Sequence, residues 1–136
     1  MSSALETVQQ IYAAFGRGDI PAILGAIDDD VKWEAWQNNT AQAAGVPWLK
    51  GGTGKSAVTE FFGVVGQMKF NDFRVLSMMA SDSQVAVEVV LDATLPSGRR
   101  VQDEELHLWT MNSAGRVTRM RHYLDTAKHI AAAQTE

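Results

Sequence analysis

Residues 70–124, FNDFRVLSMMASDSQVAVEVVLDATLPSGRRVQDEELHLWTMNSAGRVTRMRHYL, decide the fold. Apolar and polar residues alternate there with a period of two, the mark of a strand with one buried face. Three turn-forming clusters, Ser81-Asp82-Ser83, Pro96-Ser97-Gly98 and Asn112-Ser113-Ala114-Gly115, divide the run at hairpin spacing. The pattern predicts four consecutive antiparallel strands: Phe70 to Met79, Gln84 to Leu95, Arg100 to Met111 and Arg116 to Leu124.

Upstream the period is helical. Ser3-Ala4-Leu5-Glu6 fits a capping box, and Leu5, Val8, Ile11, Tyr12 and Phe15 recur at helical spacing until Gly16 and Gly18. Asp19 caps a second, short helix with Pro21 in its first turn and a stripe of Ile20, Ile23, Leu24 and Ile27, which Asp28-Asp29-Asp30 is expected to end in solvent. Val31 to Trp36 alternates as a strand in which Glu34, opposite in parity to Trp33, points outward. Gln37 to Gly52 reads as a long loop carrying Trp48, and Val58, Phe61, Phe62 and Val65 define a third helix starting near Thr53 to Ser56. Ala127 to Ala133 reads as a short terminal helix, with Asp125 as its cap. The expected fold is a single α+β domain over residues 1–136: a curved, mostly antiparallel sheet wrapped around three helices from the N-terminal half, enclosing a conical pocket.

Composition narrows the function. The chain has 136 residues, 46% of them hydrophobic and 21% charged, with a formal charge of -4 and scattered basic residues. That leaves no electrostatic footprint for nucleic acid or an anionic membrane. The absence of cysteine removes disulfides, thiol nucleophiles and thiolate metal sites. With neither a secretory signal nor an apolar run of spanning length, the expectation is a cytoplasmic protein. Gly51-Gly52-Thr53-Gly54-Lys55-Ser56 imitates the end of a phosphate-binding loop, but Leu49 stands where the first glycine belongs.

The helix ending Tyr12-Ala-Ala-Phe15-Gly-Arg-Gly18-Asp19, the turn into Val31-Lys-Trp33-Glu34, the helix from Gly54 to Phe62 and the closing run from His107 to Ala127 resemble the SnoaL-like branch of the nuclear-transport-factor-2-like superfamily, which includes ketosteroid isomerases. The resemblance implies the cone fold and a homodimer through its convex face, where Leu106 and Leu108 leave an apolar patch. Matched residue by residue, the isomerase's carboxylate base falls on Ala35, its tyrosine on Ile11 with Tyr12 one position on, and its protonated carboxyl on His107. The last-strand acid of the cyclase and epoxide-hydrolase branches falls on His122.

The resemblance turns His107 and His122 into the cone, with Trp33 and Trp109 as aromatic walls. Two imidazoles flanking a substrate can serve as acid and base near neutral pH. His107 and His122 are therefore the expected catalytic residues, and Tyr12, Trp33, Trp36, Trp48, Glu105, Trp109 and Met120 the expected substrate-binding ones. Half-buried strand histidines bonded to backbone or tyrosine, and tryptophans serving as core mass, are the plainer alternatives. Glu105, with the parity of His107, either orients it or sits at the pocket mouth; Trp36 and Trp48 are expected as a hydrophobic lid. Glu88 reaches either the rim or a dimer partner. No cofactor is expected, and no metal, because His107, His122 and His129 lack a helical i, i+4 pair or a third close ligand by spacing, although the two pocket histidines with Glu105 could imitate such a site. The leading reading is a cofactor-independent acid/base enzyme of isomerase, cyclase or dehydratase type acting on a small apolar carbonyl compound. The alternative is a non-catalytic module for a hydrophobic ligand or partner; epoxide hydrolysis ranks last.

Overall fold

A computed structural model describes residues 3–34 and 38–134. Helices α1 (Ala4–Gly16) and α2 (Ile20–Gly25) lead into strand β1 (Ile27–Trp33). The connection that follows holds α3 (Thr40–Ala43), a 3-10 turn (Pro47–Leu49) and the two-residue strand β2 (Gly52–Thr53). Then come α4 (Lys55–Val65), the long strands β3 (Lys69–Ala80), β4 (Gln84–Thr94) and β5 (Arg100–Met111), β6 (Val117–Tyr123), and α5 (Thr126–Ala133). Among the described residues no helix is long and apolar enough to cross a membrane.

The six strands form one mixed, unclosed sheet in the order β2-β1-β6-β5-β4-β3. The four expected antiparallel strands are present, and β1 adds itself parallel to β6. Strict alternation gives the sheet its inner face: Val85, Val87, Val89, Leu91 and Ala93 on β4, and Val101, Asp103, Glu105, His107, Trp109 and Met111 on β5, are buried. Val8, Ile11 and Ala14 of α1, Ile23 of α2 and Val58 of α4 close over that face. Each buried valine, leucine or isoleucine among them contributes about 1.5–3 kcal/mol. The caps are those of the sequence: Ser3 accepts from the Glu6 amide, Asp19 from Ala22 and Asp125 from Lys128.

The first expected strand needs correcting. α2 stops at Gly25, and Ile27 is the first residue of β1, facing the core, rather than the last of a helical stripe. Glycine is a poor helix interior residue. With the helix ended, the Ala26 carbonyl accepts from Val117 N–H at 2.9 Å and hands the chain to β6. Asp28, Asp29 and Asp30 thus lie within the strand, where the β1/β6 register shifts between Ile27 and Lys32. The expected long loop is also more ordered than its composition predicts. Asn39 caps α3 through Ala41 and Gln42 N–H, and the turn at Pro47–Leu49 buries Trp48 and Leu49.

Candidate functional site

Between α1, α4, the Pro47–Leu49 turn and the inner face of the sheet lies a cavity of about 90 Å³. One end is lined by Trp33, Trp109, Met120, His107, His122, Glu105 and Tyr12, the other by Val65, Met68, Phe70, Leu91, Ala93 and Val101. Trp48 borders it too, while Trp36 and Ala35 lie outside the described residues. The structure thus gathers the expected residues it describes on one cavity. It does not leave a gap between the two histidines. His107 and His122 are cross-strand partners on β5 and β6, and their rings meet edge to face with centroids 4.4 Å apart, so a substrate does not fit between them.

The two imidazoles differ in what holds them. Trp109 Nε1 donates to the Tyr12 hydroxyl at 3.1 Å, and the hydroxyl contacts His107 Nδ1. Burial, the largest effect, raises the Tyr12 hydroxyl far above its ordinary range, so it stays protonated and its hydrogen goes to Nδ1. The His107 proton then sits on Nε2, which donates to Glu105 Oε1 at 3.0 Å. Burial and the neighbouring His122 outweigh Glu105 and keep His107 below the usual histidine value. His107 is therefore a neutral imidazole with both nitrogens occupied.

His122 is held from one side only. Its backbone N–H donates to Glu34 Oε1 at 2.8 Å, and its ring Nδ1 contacts the same oxygen. Burial alone lowers His122, but the charge and hydrogen bond of Glu34 more than offset it, and the imidazole is held above its ordinary value. With Nδ1 on Glu34, Nε2 is the nitrogen left to a ligand, and no described residue bonds it.

Glu34 is the residue that the sequence misplaced. Expected outward, it is fully buried. Strand parity does not reach it, because β1 ends at Trp33 and Glu34 adopts a left-handed φ of +56. That turn is fastened by its N–H on the Met120 carbonyl at 2.9 Å and by Gln42 Nε2 on its own carbonyl. Gly51 completes the fastening. At φ +77, a side chain there would put its Cβ 2.9 Å from the Trp33 carbonyl and 3.0 Å from that of Glu34, so only glycine passes. The glycine run that imitates a phosphate loop thus serves close approach to Glu34.

A second buried cluster continues from Glu105. Its Oε2 lies 3.0 Å from His129 Nε2, which also meets Asp103 Oδ2 at 2.9 Å. Trp48 Nε1 donates to His129 Nδ1 at 2.9 Å. Burial would raise the Glu105 carboxyl, but the hydrogen bonds from His107 and His129 and the nearby imidazoles hold it well below the usual range. Trp48 is thus buried and bonded, a clamp on α5 rather than a free lid. Asp103 shares the parity of Glu105 and was legible on that ground; His129 lies on another element and has no local signal. Glu88 is exposed and accepts from Ser77 Oγ at 3.2 Å.

Solved structures place the fold. An NTF2-like protein of unknown function from Burkholderia pseudomallei is 27% identical with a TM-score of 0.76, the match covering 98% of this chain and 99% of that one. TerC, co-crystallized with polyporic acid, is also 27% identical, with a TM-score of 0.74 over 97% of this chain and 98% of that one. A polyketide cyclase candidate from Pseudomonas putida, at 19% identity, has a TM-score of 0.72 over 98% and 100% of the two chains, a likeness of fold alone. No curated protein matches the sequence. The model of the SnoaL-like domain matches residues 8–120, and the chain belongs to that family.

Proposed function

We propose that the chain is a cofactor-independent acid/base enzyme that moves a proton on a small apolar carbonyl compound, with His122 as the group that takes and returns it. The observation that carries the reading is the Glu34–His122 pair: a buried carboxylate fixes Nδ1 and leaves Nε2 on a wall whose other polar groups, Tyr12, His107 and Glu105, are bonded to one another. A base oriented in this way by a carboxylate is the arrangement that proton abstraction next to a carbonyl requires. His107, occupied on both nitrogens, supports the wall and relays polarisation from Tyr12 to Glu105. Trp33, Trp109 and Met120 supply apolar contact, and Trp36 belongs to the same proposed binding set. TerC, which was crystallized with polyporic acid, supports small-molecule capture by a relative of this fold.

The cavity of about 90 Å³ is smaller than the roughly 150 Å³ that admits benzene in an engineered protein cavity. A ligand of two rings therefore enters only as wall side chains move, and the unbranched Met68 at the apolar end is the most adaptable of them. The proposed assembly is a homodimer through the outer sheet face.

The test is α-hydrogen exchange of 2-tetralone, a bicyclic ketone, in deuterated buffer followed by proton NMR. Wild type is expected to accelerate exchange and His122→Gln to lose about 10²–10⁴-fold of it. Equal exchange in both proteins overturns the assignment. Binding without exchange in either, seen as quenching of tryptophan fluorescence, favours the second reading: a ligand-capturing module, consistent with a wall whose polar groups are mostly bonded to one another.

A further inference from the structure

The sequence carries no metal motif, because ligands drawn from two strands leave no short signature. The fold gathers one nonetheless. Glu105, His107 and His122 each present a ligand atom within 4.8 Å of the other two, and all three are buried. His107 Nε2 and Glu105 Oε1 are 3.0 Å apart, the spacing of two ligands on one ion at metal–ligand distances of about 2.0–2.1 Å.

Asp103, Glu105 and His129 meet the same distance limit, and hydrogen-bond chemistry separates the two sets. The Trp48 indole can only donate, and it donates to His129 Nδ1. The His129 proton must therefore stay on Nε2, the nitrogen facing both carboxylates, and a protonated nitrogen cannot ligate. His107 has an adaptable partner instead. If its proton moves to Nδ1, the Tyr12 hydroxyl turns its hydrogen away and accepts from Nδ1 while still accepting from Trp109. That frees Nε2 toward Glu105. His122 already has Nδ1 on a carboxylate, the outer contact that metal-ligating histidines commonly make.

We propose that Glu105, His107 and His122 form a binding site for one divalent transition-metal ion of the zinc class, oriented from behind by Tyr12 and Glu34. Two imidazoles and one carboxylate favour such ions over magnesium or calcium. The site shares His122 with the proton-transfer reading without resting on it. An ion on Nε2 occupies the lone pair that a proton needs, so the metal-bound and proton-active forms exclude each other, and zinc acts as an inhibitor.

Cobalt(II) titrated into the metal-stripped whole chain, without substrate, is the test. One equivalent is expected to bind with visible absorption of a nitrogen-ligated ion. Affinity should fall at least tenfold in Glu105→Gln and His122→Gln and by about 10–100-fold in Glu34→Gln, each checked for folding by circular dichroism. Side-chain nitrogen NMR of the wild type with zinc needs no variant: Nε2 of His107 and His122 should shift, with His129 retained. Absence of binding at millimolar cobalt, affinity unchanged in the variants, or a shift at His129 instead overturns the site. None of these results bears on 2-tetralone exchange, which is measured in chelator, so the two proposals fail separately.

Discussion

At Glu34 a single backbone torsion converts a residue of outward parity into the buried partner of His122. Glu34→Gln keeps the shape but removes the charge that holds the imidazole above its ordinary value. We expect kcat to fall about 10²-fold with KM nearly unchanged, the split that a positioning role produces. Glu34→Ala leaves a buried imidazole without its partner and should cost about 3–5 kcal/mol in urea unfolding. Glu105 gives a pH dependence whose sign follows from its shift. Its folded-state value is depressed, so the unfolded chain binds the proton first on acidification. Its contribution is complete above the ordinary carboxylate value of about 4.3 and drains away as pH falls below it. In metal-free buffer, wild type should lose stability faster than Glu105→Gln between about pH 5 and 3.

Among the elements, α5 and the Pro47–Leu49 turn depend on one another through Trp48 and His129. Trp48→Phe keeps the aromatic volume but leaves His129 Nδ1 buried without a donor, at an expected cost of about 1–3 kcal/mol in denaturant unfolding. A midpoint equal to wild type would show that the clamp carries no weight. The same scale shows what was legible in the sequence. Strands β4 to β6 were readable because one buried face imposes a period of two, β3 because the Ser81-Asp82-Ser83 turn sets it against β4, and α1, α4 and α5 because their stripes are local, with caps on α1 and α5. Ile27 was misread because its spacing from Ile20, Ile23 and Leu24 continues a helical stripe past Gly25, where only the β6 contact decides. His107 and His122 were placed in the cone by the family resemblance, and Glu105 joined them by sharing the parity of His107. Glu34 was not, since parity ends where φ turns positive, and the bond from His129 to Asp103 spans 26 residues that no local pattern connects.

For the whole molecule, the face turned away from the helices matters most. Leu76 and Met79 on the edge strand β3 are 47% and 60% exposed, and Tyr123, paired with Leu106, is 37% exposed. With Leu106 and Leu108 half-buried beside them, this is an apolar surface that a second copy would cover. Sedimentation at micromolar concentration should give a dimer, and Leu106→Lys with Leu108→Lys a monomer of unchanged fold. A wild-type monomer at that concentration would rule the interface out.

Glu105 accepts from His107 on Oε1 and lies 3.0 Å from His129 Nε2 through Oε2, and so belongs to two clusters at once. That double allegiance constrains how the sequence can drift. An exchange at position 105 strands the His107 Nε2 donor and leaves His129 to Asp103 alone, whereas an exchange at 107 also strands the Tyr12 hydroxyl and one at 129 the Trp48 N–H and an Asp103 oxygen. A library randomised at 105, 107 and 129 should therefore yield folded members as coordinated triples, with few accessible single steps between them. The cone's polar wall can change its chemistry in jumps and resists change by increments.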